Sequence, residues 1–295
     1  MKNERRIYAL GFFDGVHLGH QALLRECCAL AKAYSCSSAA ITFDDHPQSL
    51  FSKDVPPLIS SISDRTALLQ AYGIEYIHTL PVSAYIMSTP WESFLELLLQ
   101  QGASGFVCGH DFRFGYRGEG NAARLLSFCD RHHLPCVVVP DQLRNGKRIS
   151  SSLIRGLIES GQMESATHYL GHPHMLTGCV LHGQKLGRKL GVPTANLVIP
   201  AGIAVPKFGV YACRVVIDSK TYSAVANVGV RPTVSGSGIT VEPWILDFEG
   251  DLYGKELRLE FHRFLRSEVR FSDLEELKAQ IRQDAAQTRL YFDTL

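Results

Sequence analysis

The ten residues Gly11-Phe-Phe-Asp-Gly-Val-His-Leu-Gly-His20 decide the fold of the first half of the chain. A short apolar run at residues 7–13 predicts a buried strand that leads into them, and the helical spacing of apolar residues over 21–34 predicts a helix that follows. In an open parallel sheet, a helix that begins beyond a strand end offers N–H groups and its positive dipole end to a ligand. We therefore expect an anion-binding site at this turn.

The alternation of short apolar runs and helical patterns continues through the first half of the chain. It predicts an α/β domain with a doubly wound, Rossmann-like parallel sheet. The predicted strands cover residues 7–13, 39–43, 76–82, 105–109 and 136–140. The predicted helices cover 21–34, 91–100, 152–160 and 163–170, the second with Thr89 as N-cap, Pro90 in its first turn and Gly102 after its end.

The second half has successive strand patterns without intervening helices, which predicts a small antiparallel β-barrel. The predicted strands cover 177–182, 193–199, 210–218, 221–227, 240–248 and 256–264. A final helix at 273–292 is expected to pack along the outside of the barrel through Leu274, Leu277, Ile281, Ala285 and Leu290. The sequence thus predicts one domain at 1–172 and another at 173–295.

The composition is that of an ordinary globular protein and excludes disorder. Of the 295 residues, 45% are hydrophobic, and 30 Lys and Arg against 29 Asp and Glu give a net charge of +1. This balance disfavours a nucleic-acid partner, and no apolar run is long enough to cross a bilayer. We expect a cytoplasmic protein with no obligatory protein partner. The eight cysteines form no C-x-x-C pair and are interpreted as reduced packing residues.

Two histidines, His17 and His20, stand three residues apart where the first helix should begin. On one helical face, both can donate hydrogen bonds to one phosphate. A surface coincidence or a metal site would explain the pair equally well when it is taken alone. The surrounding glycines favour the phosphate interpretation, although neither the P-loop nor the dinucleotide-binding pattern occurs in the chain.

The stretch 11–20 resembles the H-x-G-H nucleotidyltransferases, and specifically the adenylyltransferase module of bacterial FAD synthetases. Segments 42–47, 109–115 and 149–155 follow in the order of that family. The resemblance implies transfer of AMP from ATP to FMN, giving FAD and pyrophosphate. It implies catalytic roles for His17, His20 and Arg155, nucleotide contacts from Gly11, Phe13, Asp14, Gly15, Gly19, Ser150, Ser151 and Ser152, and flavin contacts from Asp111, Phe112 and Arg113.

Simpler interpretations of two of these segments stay open. The serines at 150–152 are, by themselves, only a helix N-cap. Phe112 and Phe114 could equally be packing residues at the end of a strand.

A second set of motifs lies in the strand-rich half, beginning with Gly187-Arg-Lys-Leu-Gly-Val-Pro-Thr-Ala-Asn196. Read alone it is a loop, but Thr194 and Asn196 would share one face of a strand and suit Mg²⁺. The decapeptide resembles the riboflavin kinase signature. That resemblance implies nucleotide contacts from Gly187, Lys189, Gly191 and Thr194, and a metal held by Thr194 and Asn196, with Mn²⁺ or Zn²⁺ as substitutes for Mg²⁺.

Segments 226–233, 241–248 and 251–254 match the same kinase in order. The resemblance assigns Glu242 as the base that accepts the proton of the riboflavin 5′-hydroxyl, since a hydroxyl nucleophile must lose a proton during phosphoryl transfer. A lone strand glutamate is ordinarily a solvent-facing residue. Pro243 departs from the family pattern, and we expect an edge or a bulge in the strand there.

The resemblance extends from about residue 8 to about 291, and the chain is identified as a member of the bifunctional riboflavin kinase/FMN adenylyltransferases. It implies riboflavin and ATP as substrates, FMN as intermediate and FAD as product. Two alternatives remain: an adenylyltransferase with a decayed kinase domain, and a flavin-binding regulatory protein. The second would have lost one of the reactive side chains, but His17, His20, Thr194, Asn196 and Glu242 are all present.

Overall fold

The computed structural model describes residues 5–181, 192–218, 220–233 and 236–295. Contacts divide the chain into two compact units. The first unit comprises Met1–Leu58 and Arg65–Ser151, and the second comprises Ile59–Asp64 and Ser152–Leu295.

The first unit is built on a parallel sheet whose strand order is β3-β2-β1-β4-β5. The strands are β1 (Arg6–Leu10), β2 (Ser37–Phe43), β3 (Tyr76–Leu80), β4 (Ala103–Gly109) and β5 (Cys136–Val139). The helices are α1 (Leu18–Ala33), α2 (Ile62–Ala71), α3 (Ala84–Ser88), α4 (Trp91–Gln100) and α5 (Ala122–Arg131), and a hairpin of β6 (Leu143–Arg144) and β7 (Lys147–Arg148) follows. The predicted doubly wound sheet is confirmed.

The strand order places a topological switch point between β1 and β4, because the chain winds outward from β1 in both directions. Loops that follow β1 and β4 diverge there and leave a crevice at the carboxyl ends of the strands, where ligands of such sheets bind. Both strands are almost wholly buried, as their near-continuous apolar runs require.

Two sequence-based boundaries in this unit are wrong. The first strand was expected to reach residue 13 but ends at Leu10, because the chain turns sharply after it, with positive φ at Phe13, Gly15 and Val16. The cap of α4 lies one residue later than expected. Pro90 itself is the N-cap residue and Thr89 precedes it, since the fixed φ of proline suits the start of a helix.

The second unit contains a closed barrel of antiparallel strands in the order β10-β11-β12-β9-β8-β13, as the sequence predicts. The strands are β8 (His174–Leu181), β9 (Asn196–Val198), β10 (Gly209–Ile217), β11 (Lys220–Thr233), β12 (Gly236–Ile245) and β13 (Glu256–Arg266). Helices α6 (Ser151–Glu159) and α7 (Met163–Leu170) precede the barrel, and α8 (Leu274–Asp293) follows it.

The expected apolar stripe of α8 is only partly correct. Leu274 and Leu290 are 60% and 66% exposed, so they do not pack on the barrel. The helix instead buries Asp284, Ala285 and Thr288. A buried aspartate requires a partner, and this one is supplied by the barrel.

Pro243 lies inside the barrel wall, and the predicted edge or bulge is wrong. Its strand, β12, keeps an unbroken register with β11, with Pro243 opposite Ala226. The Pro243 carbonyl accepts a hydrogen bond of 2.9 Å from the Ala195 N–H, so the position that lacks an N–H faces the short 193–195 segment. The proline therefore removes no donor from the β11 ladder.

The cysteines are free, and the packing interpretation holds for the four that are buried, Cys27, Cys108, Cys129 and Cys213. It fails for Cys179, which is exposed on β8. Among the helices that the structure describes, none is both long and apolar enough to span a bilayer.

Candidate active sites

A cleft of about 980 Å³, open to solvent, lies in the first unit at the carboxyl ends of β1, β4 and β5. It brings together many residues that the sequence places far apart. The predicted residues that line it are Gly11, His17, Gly19, His20, Asp111, Phe112, Arg113, Ser150 and Ser151. The cleft thus combines the loop after β1, the start of α1, the loop after β4 and the serine-rich segment.

The turn between β1 and α1 lies partly beneath the cleft. Phe13, Asp14 and Gly15, which were expected to contact nucleotide, do not line the cleft and are buried. Their backbone is bent by positive φ at Phe13 (57°) and Gly15 (74°). The Ser151 hydroxyl donates to the Asp14 carbonyl at 3.1 Å, which fastens the serine-rich segment to the turn.

His17 and His20 differ in position and environment. His17 is the N-cap of α1, and its Nδ1 accepts a hydrogen bond of 3.2 Å from the His20 N–H. A neutral imidazole that accepts at Nδ1 carries its proton on Nε2, so the donor of His17 is on the opposite nitrogen from the one that caps the helix. The two rings stack with centroids 3.7 Å apart.

His20 is a neutral imidazole at physiological pH. Burial holds the pKa of His20 well below its usual value, and the neighbouring His17 and Arg65 lower it further. Both histidines line the cleft with their rings stacked, so they share one face of the helix start, although His17 is the N-cap and His20 lies in the first turn.

Gly19 is required by the position of the His17 ring. A Cβ atom at residue 19 would lie 3.0 Å from His17 Cε1 and 3.1 Å from Nδ1. A side chain there would push the ring away from the helix start. Gly19 of α1 thus sets the orientation of a histidine.

The sequence reasoning missed Arg148, Asp141, Gln142 and His110, which also line this cleft. The Arg148 guanidinium forms ion pairs with Asp111 and, at 2.9 Å, with Asp141. Arg148 stands just before the serine-rich segment, which was the available signal for it. This network holds Asp111 through a neighbour 37 residues away in the chain, so the pairing itself follows only from the fold.

The other predicted residues of this site are placed differently. Phe112 and Phe114 stack at 5.8 Å, with Phe114 in the core and Phe112 packed against it, and Phe112 also lines the cleft. Ser152 and Arg155 lie in α6, within the second unit, and do not line the cleft.

A second cavity, of about 840 Å³, lies on the outer wall of the barrel. Glu242 and Trp244 of β12 line it, whereas their neighbour Val241 is buried on the opposite face of the strand. Thr194 lines the same cavity. Asn227, directly opposite Glu242 on β11, donates to Glu268 at 3.3 Å and completes a polar patch on an otherwise apolar surface.

Helix α8 supplies the far wall of this cavity through Leu277, Ile281 and Asp284. Asp284 is 2% exposed and accepts a bidentate pair from Arg266 of β13, at 3.0 Å from Nε and 2.8 Å from Nη2. Gln280 adds a hydrogen bond of 2.9 Å to the same carboxylate. This satisfied ion pair fixes the helix against the barrel beside the cavity.

Only some of the other residues predicted for the kinase site lie in the described part of the chain. Asn196 begins β9 and does not line the Glu242 cavity among the described residues. Gly187, Lys189 and Gly191 lie outside the described residues. A smaller pocket is shared by Thr194, Pro243 and the predicted segment 251–254, through Asp251 and Tyr253.

A helix that begins at the switch point of a doubly wound sheet, where such folds bind phosphates, joined in one chain to a barrel with a carboxylate-bearing cavity, is the arrangement of a two-domain enzyme of group transfer from nucleotides. The FAD synthetase family model matches residues 1–153, and the riboflavin kinase model matches residues 170–292. The chain belongs to the family of bifunctional riboflavin kinase/FMN adenylyltransferases, with both domains present.

Full-length relatives support this assignment. The bifunctional riboflavin kinase/FMN adenylyltransferase of Pseudomonas fluorescens is 34% identical over 96% of this chain and 92% of its own length. That of Listeria monocytogenes is 31% identical over 98% of this chain and 93% of its own length. A solved Streptococcus pneumoniae structure, described as a macrolide-efflux protein, is 30% identical with a TM-score of 0.88, covering 98% of this chain and 95% of that one.

Proposed function

We propose that the cavity beside Glu242 forms FMN from riboflavin and ATP, and that the cleft beside His17 forms FAD from FMN and ATP. The observation that carries the proposal is that each cavity gathers residues from several motifs of its own activity. The match of both domains favours the bifunctional enzyme over the adenylyltransferase with a decayed kinase and over the flavin-binding regulator.

In the first unit, an oxygen of the FMN phosphate attacks the α-phosphorus of ATP, and the bond to the β-phosphate oxygen breaks to release pyrophosphate. The FMN phosphate is anionic at neutral pH, so the site needs positioning and charge stabilisation more than a base. The Nε2–H of His17 and the first N–H groups of α1 are the donors at the helix start. Arg155 is proposed to neutralise phosphate charge, as the family motif implies.

In the barrel, Glu242 accepts the proton of the riboflavin 5′-hydroxyl while that oxygen attacks the γ-phosphorus of ATP and ADP leaves. Glu242 and Thr194 line the same cavity. Riboflavin and ATP bound there together would therefore have a base for the 5′-hydroxyl and a hydroxyl group for the ATP phosphates. The apolar and aromatic walls of the cavity, including Trp244 and Phe271, suit a flat isoalloxazine ring.

Mg²⁺ is the metal that we propose for the kinase site. The Thr194 hydroxyl and the Asn196 amide oxygen are hard oxygen donors, which fit Mg²⁺ or Mn²⁺ better than Zn²⁺. When bound, such an ion neutralises phosphate charge. Removing it with a chelator is expected to abolish FMN formation.

We propose that the adenylyltransferase domain covers residues 1–172 and that the kinase domain covers residues 173–295. We also propose that the chain works in the cytoplasm, where ATP is supplied. Helix α7 ends at Leu170, with Gly171 as a left-handed C-cap, and β8 begins at His174. This supports a boundary in the intervening residues, although contacts group α6 and α7 with the barrel.

The proposal is tested by incubating the protein with riboflavin, ATP and Mg²⁺ and separating the flavins by chromatography over time. We expect FMN first and FAD later. FAD from added FMN with riboflavin unchanged would restrict the activity to the first unit, and no conversion of either flavin would overturn the proposal.

A further inference from the structure

Arg65 is a buried cation beneath the adenylyltransferase cleft. It is 1% exposed and is the largest fully buried side chain in the described part of the protein. Its Nη1 donates to the Thr42 hydroxyl and the Phe43 carbonyl at 2.8 Å each, and to the Phe12 carbonyl at 3.3 Å. It therefore ties the end of β2 to the loop that follows β1.

The guanidinium is only partly satisfied. Among the described residues, none accepts a hydrogen bond from its Nε or Nη2 atom, and no carboxylate forms an ion pair with it. Burying an incompletely paired cation is destabilising by several kcal/mol, on the order of the value for a broken buried pair. A neutral side chain that donates a hydrogen bond to the Thr42, Phe43 and Phe12 oxygens would avoid the cost of burying a charge. The structural link between β2 and the loop after β1 therefore does not by itself explain why this residue is an arginine.

The positive charge acts on the cleft through two neighbours. Its guanidinium carbon lies 4.8 Å from the ring centroid of Phe12, which lines the cleft. The field of Arg65 also reaches His20, whose pKa it lowers. Burial lowers the pKa of Arg65, the nearby carboxylates of Asp14 and Asp44 partly offset this effect, and an arginine in this environment stays charged.

We propose that Arg65 is a positioning residue of the adenylyltransferase that supplies fixed positive potential beneath the polyphosphate of ATP, without touching it. The inference rests on the proposed function of this cleft. At an effective dielectric near 20, a fixed unit charge would stabilise each negative charge within about 10 Å of it enough for roughly a tenfold effect on affinity. Because the field is fixed by the fold, no reorganisation is needed when the ligand binds.

The test compares Arg65→Met, which removes the charge, with Arg65→Lys, which keeps it. Binding of inorganic pyrophosphate, ATP and uncharged adenosine is measured by calorimetry, with Arg131→Met as a control that removes an exposed cation of the same unit. For Arg65→Met we expect affinity for pyrophosphate and ATP to fall about tenfold or more, with adenosine affinity and FMN formation unchanged. Arg65→Lys should retain most of the affinity for both anions.

An NMR titration of His20 distinguishes this electrostatic role from a purely structural one, in which Arg65 only links β2 to the loop after β1. Loss of the Arg65 charge should raise the pKa of His20 towards its usual value in an NMR titration, while the stacked His17 and the packed Phe13 ring stay in place. Unchanged pyrophosphate affinity in Arg65→Met, or an equal loss of adenosine affinity, would overturn the proposal. If Arg65→Met does not fold, a tenfold loss of pyrophosphate affinity in folded Arg65→Lys would overturn it instead. Wild-type FAD formation tests the function of the cleft separately.

Discussion

His17 accepts a hydrogen bond at Nδ1 from the His20 N–H, 3.2 Å away, while the two imidazole rings stack at 3.7 Å. The first histidine is thus a helix cap and a potential phosphate donor at the same time. These roles use opposite nitrogens of one ring. They can therefore be separated by substitution.

Asparagine at position 17 should keep the cap and lose the donor. The Asn side-chain oxygen can accept the His20 N–H, but it offers no N–H where Nε2 lies. We expect His17→Asn to lower kcat/KM for FAD formation about 100-fold or more, with a melting temperature near wild type. His17→Ala should lose the same activity and also about 1 kcal/mol of stability from the cap. Equal melting temperatures for both variants would contradict the capping role, and FMN formation serves as the control for both.

Glu242→Gln should abolish most FMN formation and spare FAD formation from added FMN. The amide keeps the size of the side chain but cannot accept the proton of the 5′-hydroxyl, so a loss of about 100-fold in kcat with riboflavin and ATP binding retained is expected. Glu256→Gln on β13 is the matched control, because that exposed carboxylate does not line the cavity. Undiminished turnover in Glu242→Gln would remove its role as base.

The Arg266–Asp284 pair should stabilise the barrel unit and the kinase cavity together. Asp284→Asn leaves Arg266 without its charge partner in a largely buried site, so we expect a loss of about 3 kcal/mol in unfolding free energy and a raised KM for riboflavin. The exposed pair of Arg289 and Asp247 is the control, and Asp247→Asn should change stability by less than about 1 kcal/mol. Urea unfolding and steady-state kinetics on both variants measure the difference. Similar losses of unfolding free energy in Asp284→Asn and Asp247→Asn would show that burial does not determine how much an ion pair stabilises this unit.

His174 should make the barrel sensitive to acid. Burial, helped by His172, lowers the pKa of His174 to about 3. Below about pH 6.5, the usual pKa of histidine, the unfolded chain takes up a proton that the folded barrel does not. The free energy of unfolding therefore decreases by about 1.4 kcal/mol for each unit by which the pH is lowered, between about pH 6.5 and about pH 3. His174→Phe should remove this dependence, measured by urea unfolding at pH 7.5 and 5. An unchanged slope in His174→Phe would place the acid sensitivity elsewhere.

The sequence allowed the sheet, the barrel, nine residues of the cleft beside His17, and Thr194 and Glu242 of the barrel cavity to be predicted, because periodicity and motifs are local properties. The end of β1 was misjudged because Gly11-Phe-Phe continues an apolar pattern, and the turn depends on backbone angles that composition does not reveal. Arg148 and Arg65 were missed for a different reason. Their partners lie 37 and 53 residues away in the chain, at Asp111 and Phe12, so only the folded topology makes them part of the site.

The left-handed turn at Phe13 and Val16 implies a limit on how this enzyme can evolve. Val16 has φ of 38°, which is sterically unfavourable for a β-branched residue and amounts to strain of about 1–3 kcal/mol. Val16 is also fully buried, so replacement by glycine would relieve the strain but lose the burial of the side chain, and it would loosen the segment that presents His17. The packing of one valine therefore holds the backbone in a conformation that the residue itself disfavours, and stability and FAD synthesis constrain this position in the same direction.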